Sequence, residues 1–225
     1  IIETEIIFMK KLALIASISA SLLASVPATS FAQIALPSIP GMSKSDSSAK
    51  AADVGPLQTK VTKLYLAANK DVLTANSLMA GALGLKEAAG VAKSTAGALT
   101  SGSTQDNLEK ANKEVTASSE AIAAELAKGP KLDAKAKTAY SKGLSALAAG
   151  TLKYVAVGVD VKSLGENISK APVTDLPGLA SGAYIVSKFP GSVANVVSSL
   201  KNAIEFAKTN DIPVPKNATA ALGSL

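Results

Sequence analysis

The chain contains no cysteine, no histidine, no tryptophan and no arginine. Without cysteine or histidine the usual soft and borderline metal sites cannot form. The same absences remove cysteine proteases and serine–histidine–aspartate hydrolases. Disulfides are excluded too, so the fold rests on packing alone. Without arginine there is no planar fork to grip a carboxylate or phosphate bidentately. Aromatic residues make up only 4%, too few to stack on bases, which sets nucleic acid aside as a partner. Long runs of alternating strand pattern are also scarce, against a β-sandwich.

What is present points to helices. Of 225 residues, 48% are hydrophobic, and much of that share is alanine, the best helix former. All 23 basic residues are lysine, against 17 acids, for a net charge of +6. Such a balance suits an anionic membrane surface, or simple solubility.

The amino-terminal region reads as an address. From Met9 the sequence is MKKLALIASISASLLASVPATSFAQ. Lys10 and Lys11 form a positive start, Leu12 to Val26 an apolar stretch, and Ser30-Phe31-Ala32 a small-residue processing site. Those parts, over residues 9–32, resemble a bacterial secretion signal cut between Ala32 and Gln33. Residues 1–8 (IIETEIIF) do not fit the signal and are read as foreign to the native protein. Residues 33–54, rich in Ser, Pro and Gly, read as a flexible linker.

The sequence then predicts an all-α antiparallel bundle of four to five helices over residues 55–212, with a tail over 213–225. Leu57, Val61, Leu64, Ala68, Val72, Ala75, Met79 and Ala82 recur at helical steps. Gly81, Gly84, Gly90 and Gly97 weaken the continuation towards Thr100, which predicts a kink or two shorter helices. Ser103 and Asp106 suggest a cap for the next helix. Its apolar face is Leu108, Ala111, Val115, Ile122 and Leu126, with Ser118 expected off that face. Asp106–Lys110 and Glu109–Lys113 are acid-first pairs one turn apart. Gly129-Pro130 ends the helix.

Asp133 opens another helix, expected to reach about Lys170 before Pro172 stops it. Ala136, Tyr140, Leu144, Leu147, Thr151, Val155 and Val159 give it helical spacing. Val155, Val157, Val159 and Val161 also alternate in a strand period, but no partner strand is evident, so helix is preferred. A turn over 172–178, a short helix to Phe189 and a last helix starting at Pro190 complete the reading. Val193, Val197, Leu200, Ile204 and Ala207 form the last apolar face, and Asn210 a carboxy-terminal cap.

Gly143–Val161 (GLSALAAGTLKYVAVGVDV) is apolar enough to ask whether it crosses a membrane. A span needs about 20 apolar residues. This run has Lys153 and Asp160 inside it, and its neighbours each need an apolar face covered. It is therefore expected to be the central element of the bundle.

No pattern specifies catalysis. Ser198–Lys201 and Ser47–Lys50 match the serine–lysine spacing, but the companion motifs are missing, and coincidence explains them. Glu109, Glu114, Glu120 and Glu125 wind around their helix and form no acid–base pair. No catalytic, metal or cofactor residue is assigned. Tyr140, Leu147, Tyr154, Val155 and Tyr184 are the candidates for core or for an apolar ligand site between helices, with the tyrosine hydroxyls reaching water. The expectation is a non-enzymatic exported protein, periplasmic or secreted, acting as scaffold or binding module on a protein or envelope component. The alternative is a lipid- or membrane-interacting protein.

Overall fold

The computed structural model describes residues 54–100 and 104–224. The secretion signal, the Ala32–Gln33 junction and all of the linker but Val54 lie outside them. Six α-helices and one 3₁₀ segment make up the described chain: α1 Val54–Ala82, α2 Lys86–Ala98, α3 Gln105–Leu126, α4 Ala134–Ile168, the 3₁₀ segment Val173–Leu179, α5 Ala180–Thr209 and α6 Lys216–Gly223. Among the described residues there is no strand, so the alternating valines are helical.

Local chemistry sets the boundaries. Gly84 has φ +80° and Gly129 φ +63°, a region glycine enters freely. Gly84 separates α1 from α2, and Gly129 with Pro130 closes α3. Asp133 caps α4 as expected, its carboxylate accepting from the Ala136 amide at 2.7 Å. For α3 the cap is Thr104 rather than Ser103. Its amide and hydroxyl both donate to Asn107 Oδ1 at 2.9 Å. Asn210 caps α5, its side chain donating to Phe206 O at 3.0 Å.

Three expectations are corrected. α5 runs unbroken through Pro190, because Pro190 is exposed and its neighbours Ile185 and Val196 are both anchored in the core. The carboxy-terminal tail is instead partly helical. α6 buries Ala218 and Ala221, and Asn217 and Ser145 exchange hydrogen bonds of 3.1 and 2.9 Å that tie it to α4. Finally, the central helix is α1, not α4. α1 packs against α2, α3, α4 and α5, whereas α4 packs against α1, α5 and α6.

The α1–α4 pair is the backbone of the fold. It buries Val61, Tyr65, Ala68, Val72, Ala75 and Met79 against Tyr140, Leu144, Leu147, Tyr154 and Val157. The two charges in the apolar run of α4 are explained here. Lys153 Nζ lies 2.7 Å from Asp71 and Asp160 2.9 Å from Lys60 Nζ, both on α1. Each partner has the opposite sign only in this antiparallel register. Partial exposure limits each pair to less than about 1 kcal/mol, so their main effect is on alignment. The acid-first pairs within α3 are not among the ion pairs of the described residues; Glu109 instead accepts from Gln105 at 3.2 Å.

Candidate functional site

The polar groups of the interior converge on a tyrosine–asparagine network. Tyr154 on α4 donates to Asn69 Oδ1 on α1 at 3.0 Å. Asn69 Nδ2 donates to the carbonyl of Tyr65, one turn earlier, at 3.0 Å. Tyr65 donates to Asn112 Oδ1 on α3 at 2.8 Å and lies 3.0 Å from Ser192 Oγ on α5. Asn112 Nδ2 donates in turn to Tyr184 Oη on α5 at 3.0 Å. The Tyr65 and Tyr154 rings meet edge to face with centroids 5.5 Å apart, and Phe189 closes the cluster. One connected set therefore joins α1, α3, α4 and α5.

This corrects the expectation that the tyrosine hydroxyls reach water. Tyr154 is buried and bonded to protein, and so is Tyr140, whose hydroxyl donates to Ala203 O at 3.3 Å. Tyr184 is half-buried and held by Asn112. Burial pushes the phenols of Tyr140, Tyr154 and Tyr184 above their ordinary value, and for Tyr154 the neighbouring Tyr65 adds to it. A phenol held neutral in this way donates a hydrogen bond; it is a poor base or nucleophile at neutral pH.

The five candidate residues do not form one site. Leu147 is buried beside a second polar contact, where Asn76 Nδ2 donates to Ser118 Oγ at 2.8 Å and Ser119 Oγ at 3.1 Å. A cavity of about 10 Å³ lies there, lined by Asn76, Met79, Ser119, Ile122 and Leu147 among others. It has room for about one water molecule. Val155 is only half-buried, because the buried face of α4 runs through Tyr154, Val157 and Val161 instead. No side-chain nitrogen or oxygen buried among the described residues lacks a partner. Nor does any group of three acidic side chains there come together to hold a metal ion.

A second depression is on the surface. An open groove of about 410 Å³ runs between α2 and α3, lined by Leu85, Lys86, Ala88, Val91, Glu114 and Ala117 among others. Burial raises the Glu114 carboxyl above its ordinary value. Ser198 and Lys201, the serine–lysine pair, are both exposed on α5, and Ser47 and Lys50 lie outside the described residues.

Apolar periodicity does not single out Tyr65, the hub of the network, nor Asn69 and Asn76. One signal for the two amides is present in the sequence. Asn69 and Asn76 are seven residues apart on a helix whose apolar stripe includes Val72 and Met79. Two amides in such register imply buried partners. No protein-family model, no curated protein and no solved structure matches this chain.

Proposed function

We propose that this is a non-enzymatic protein exported to the bacterial cell envelope, where its helical bundle acts as a scaffold or binding module through its outer surface. The observation that carries the reading is the closed interior. The buried polar side chains are partnered within the described chain, and the small, partly open cavity beside Leu147 holds about one water. A small-molecule site needs a cavity of about 300–1,000 Å³. The cavity beside Leu147 is far smaller, which favours recognition at the surface. The export half of the reading rests on Lys10, Lys11, the apolar stretch and Ser30-Phe31-Ala32.

A membrane-interacting reading has one observation in its favour. Val173 and Leu176 on the 3₁₀ segment are 82% and 41% exposed, and Lys170 precedes them. Native mass spectrometry of the chain recovered from the periplasm tests the proposal. The expected mass is that of residues 33–225 with nothing bound. A lipid or metabolite retained in stoichiometric amount would overturn the scaffold reading. A chain still carrying residues 9–32 would overturn export with cleavage.

A further inference from the structure

The groove between α2 and α3 has apolar walls. Val91 is 46% exposed, Ala117 is exposed, and Leu85 and Ala88 are half-buried. Lys86, Glu87 and Glu114 are its charged members. Glu114 is half-buried, and burial alone holds its carboxyl above the ordinary value, with no lysine near enough to draw it down. The ion pairs of the described residues do not include it. The chain has 23 basic residues, all lysine, and a net charge of +6. A partly desolvated carboxylate left without a cation in such a chain calls for a group that brings both aliphatic surface and a positive charge.

We propose that the groove takes the chain's own segment 33–53 (QIALPSIPGMSKSDSSAKAAD), with Lys44 at Glu114 and with Ile39 and Leu36 against Val91 and Leu85. The segment lies outside the described residues and joins α1 at Val54, so its reach is set by where α1 begins. Tyr65 of α1 bonds Asn112 of α3 at 2.8 Å, and Asn76 bonds Ser118 at 2.8 Å. Glu114 lies between those levels, about 16–33 Å along α1 from Val54 at about 1.5 Å per residue. Ser77 bonds the carbonyl of Ala89 on α2 at 2.9 Å, which places Val91 and Leu85 about 30–40 Å from Val54. An extended chain covers about 3.3 Å per residue, so residues 44–53 span up to about 33 Å and residues 39–53 up to about 50 Å. Both contacts are within reach. The order fits too: leaving Val54, the chain meets Glu114 first and Leu85 last, as Lys44 comes before Ile39 and Leu36 in that direction. Pro37 and Pro40 favour the extended backbone this path needs. A tethered occupant is held at about millimolar effective concentration, so modest contacts fill the groove.

This docking does not rest on the proposed function, because residues 33–53 belong to the chain whether or not it is cut after Ala32. The absence of cysteine makes disulfide trapping the test, on residues 33–225. Ile39→Cys is paired with Val91→Cys in the groove and, separately, with Thr74→Cys, exposed on α1 outside the groove and level with it. On mild oxidation the groove pair is expected to close within one chain about tenfold faster than the Thr74 pair. Glu114→Lys on the groove pair is expected to remove that lead. Adding Lys44→Glu is expected to restore it, because opposite charges then face each other again. Glu114→Gln removes the charge with little change of shape and is expected to cut the lead, which keeps the test sound if Glu114→Lys loses helicity. Equal rates for the two cysteine pairs overturn the proposal, as does a lead that neither Glu114 variant reduces. A disulfide found at the dimer mass also overturns it and assigns the groove to the segment of a second copy.

Discussion

Gly150 of α4 lies flat against Val72 of α1: a Cβ added at Gly150 would come within 2.7 Å of Val72 Cγ2 and 3.1 Å of the Val72 amide nitrogen. The second atom is backbone and cannot rotate away. Gly150→Ala should therefore destabilise the protein by about 1–3 kcal/mol, despite alanine's advantage of up to about 1 kcal/mol over glycine in a helix. Gly158 is the contrast. Its added Cβ would meet only Phe189 ring atoms at 3.6 and 3.7 Å, ordinary contact. Gly158→Ala should keep the propensity gain and raise the urea midpoint. Equal midpoints for the two variants would contradict this account of α1–α4 packing.

Ser118 carries a second prediction. The apolar pattern of α3 places it off the buried face, where replacement by alanine would be silent. Instead it is 1% exposed and accepts from Asn76 at 2.8 Å. Ser118→Ala removes one of the acceptors of that buried amide and should cost about 0.5–1.5 kcal/mol. Ile122→Ala, nearby on the same buried face, should cost about 2–5 kcal/mol through lost burial and the cavity it leaves. Urea unfolding of both variants checks the order. A silent Ser118→Ala would mean that Ser119 Oγ and the Val115 carbonyl satisfy Asn76 between them.

The contrast between these two residues shows what is legible in a sequence and what is not. Ile122 announces itself through apolar periodicity, and the helix ends through local chemistry at Asp133, Gly129 and Asn210. Ser118 and Ser119 fill the same buried stripe, but a polar residue there is recognisable only once Asn76, 42 positions before Ser118, is known to face it. Tyr65 is hidden for the same reason: its role is set by Asn112 on α3 and Ser192 on α5. The central position of α1 is hidden because, among the described residues, α4 alone carries a continuous stretch apolar enough to span a membrane, while burial depends on how many neighbours a helix has. Pro190 misleads in the opposite direction. Its local preference for a helix start is overridden by packing on both sides.

Pro190 therefore supplies a third prediction. Within α5 it lacks an amide to bond the preceding turn and sits exposed. Proline costs about 3 kcal/mol relative to alanine in a helix interior. Pro190→Ala should raise the melting temperature, with a gain of about 1–3 kcal/mol after relaxation of the surrounding turn. A lower melting temperature would show that the missing hydrogen bond shapes the packing of Phe189 against Tyr65 and Tyr154.

Alkaline pH should open the core, and the sign follows from the buried phenols. An unfolded tyrosine loses its proton near pH 10. Folded Tyr140 and Tyr154 hold theirs to higher pH because burial disfavours the phenolate. Above about pH 10 the unfolded chain therefore releases protons that the folded chain retains. The stability is complete below about pH 10 and is lost as pH rises, by up to about 1.4 kcal/mol per pH unit for each such tyrosine. The chain has four tyrosines and no tryptophan, so phenolate absorbance reports them directly. Tyr140 and Tyr154 should ionise only together with the loss of helical circular dichroism. Tyr140→Phe gives up a long 3.3 Å hydrogen bond, so it should leave neutral-pH stability nearly unchanged while moving the alkaline midpoint upward. Ionisation of Tyr140 and Tyr154 with the helices intact would refute the buried, partnered state of these residues.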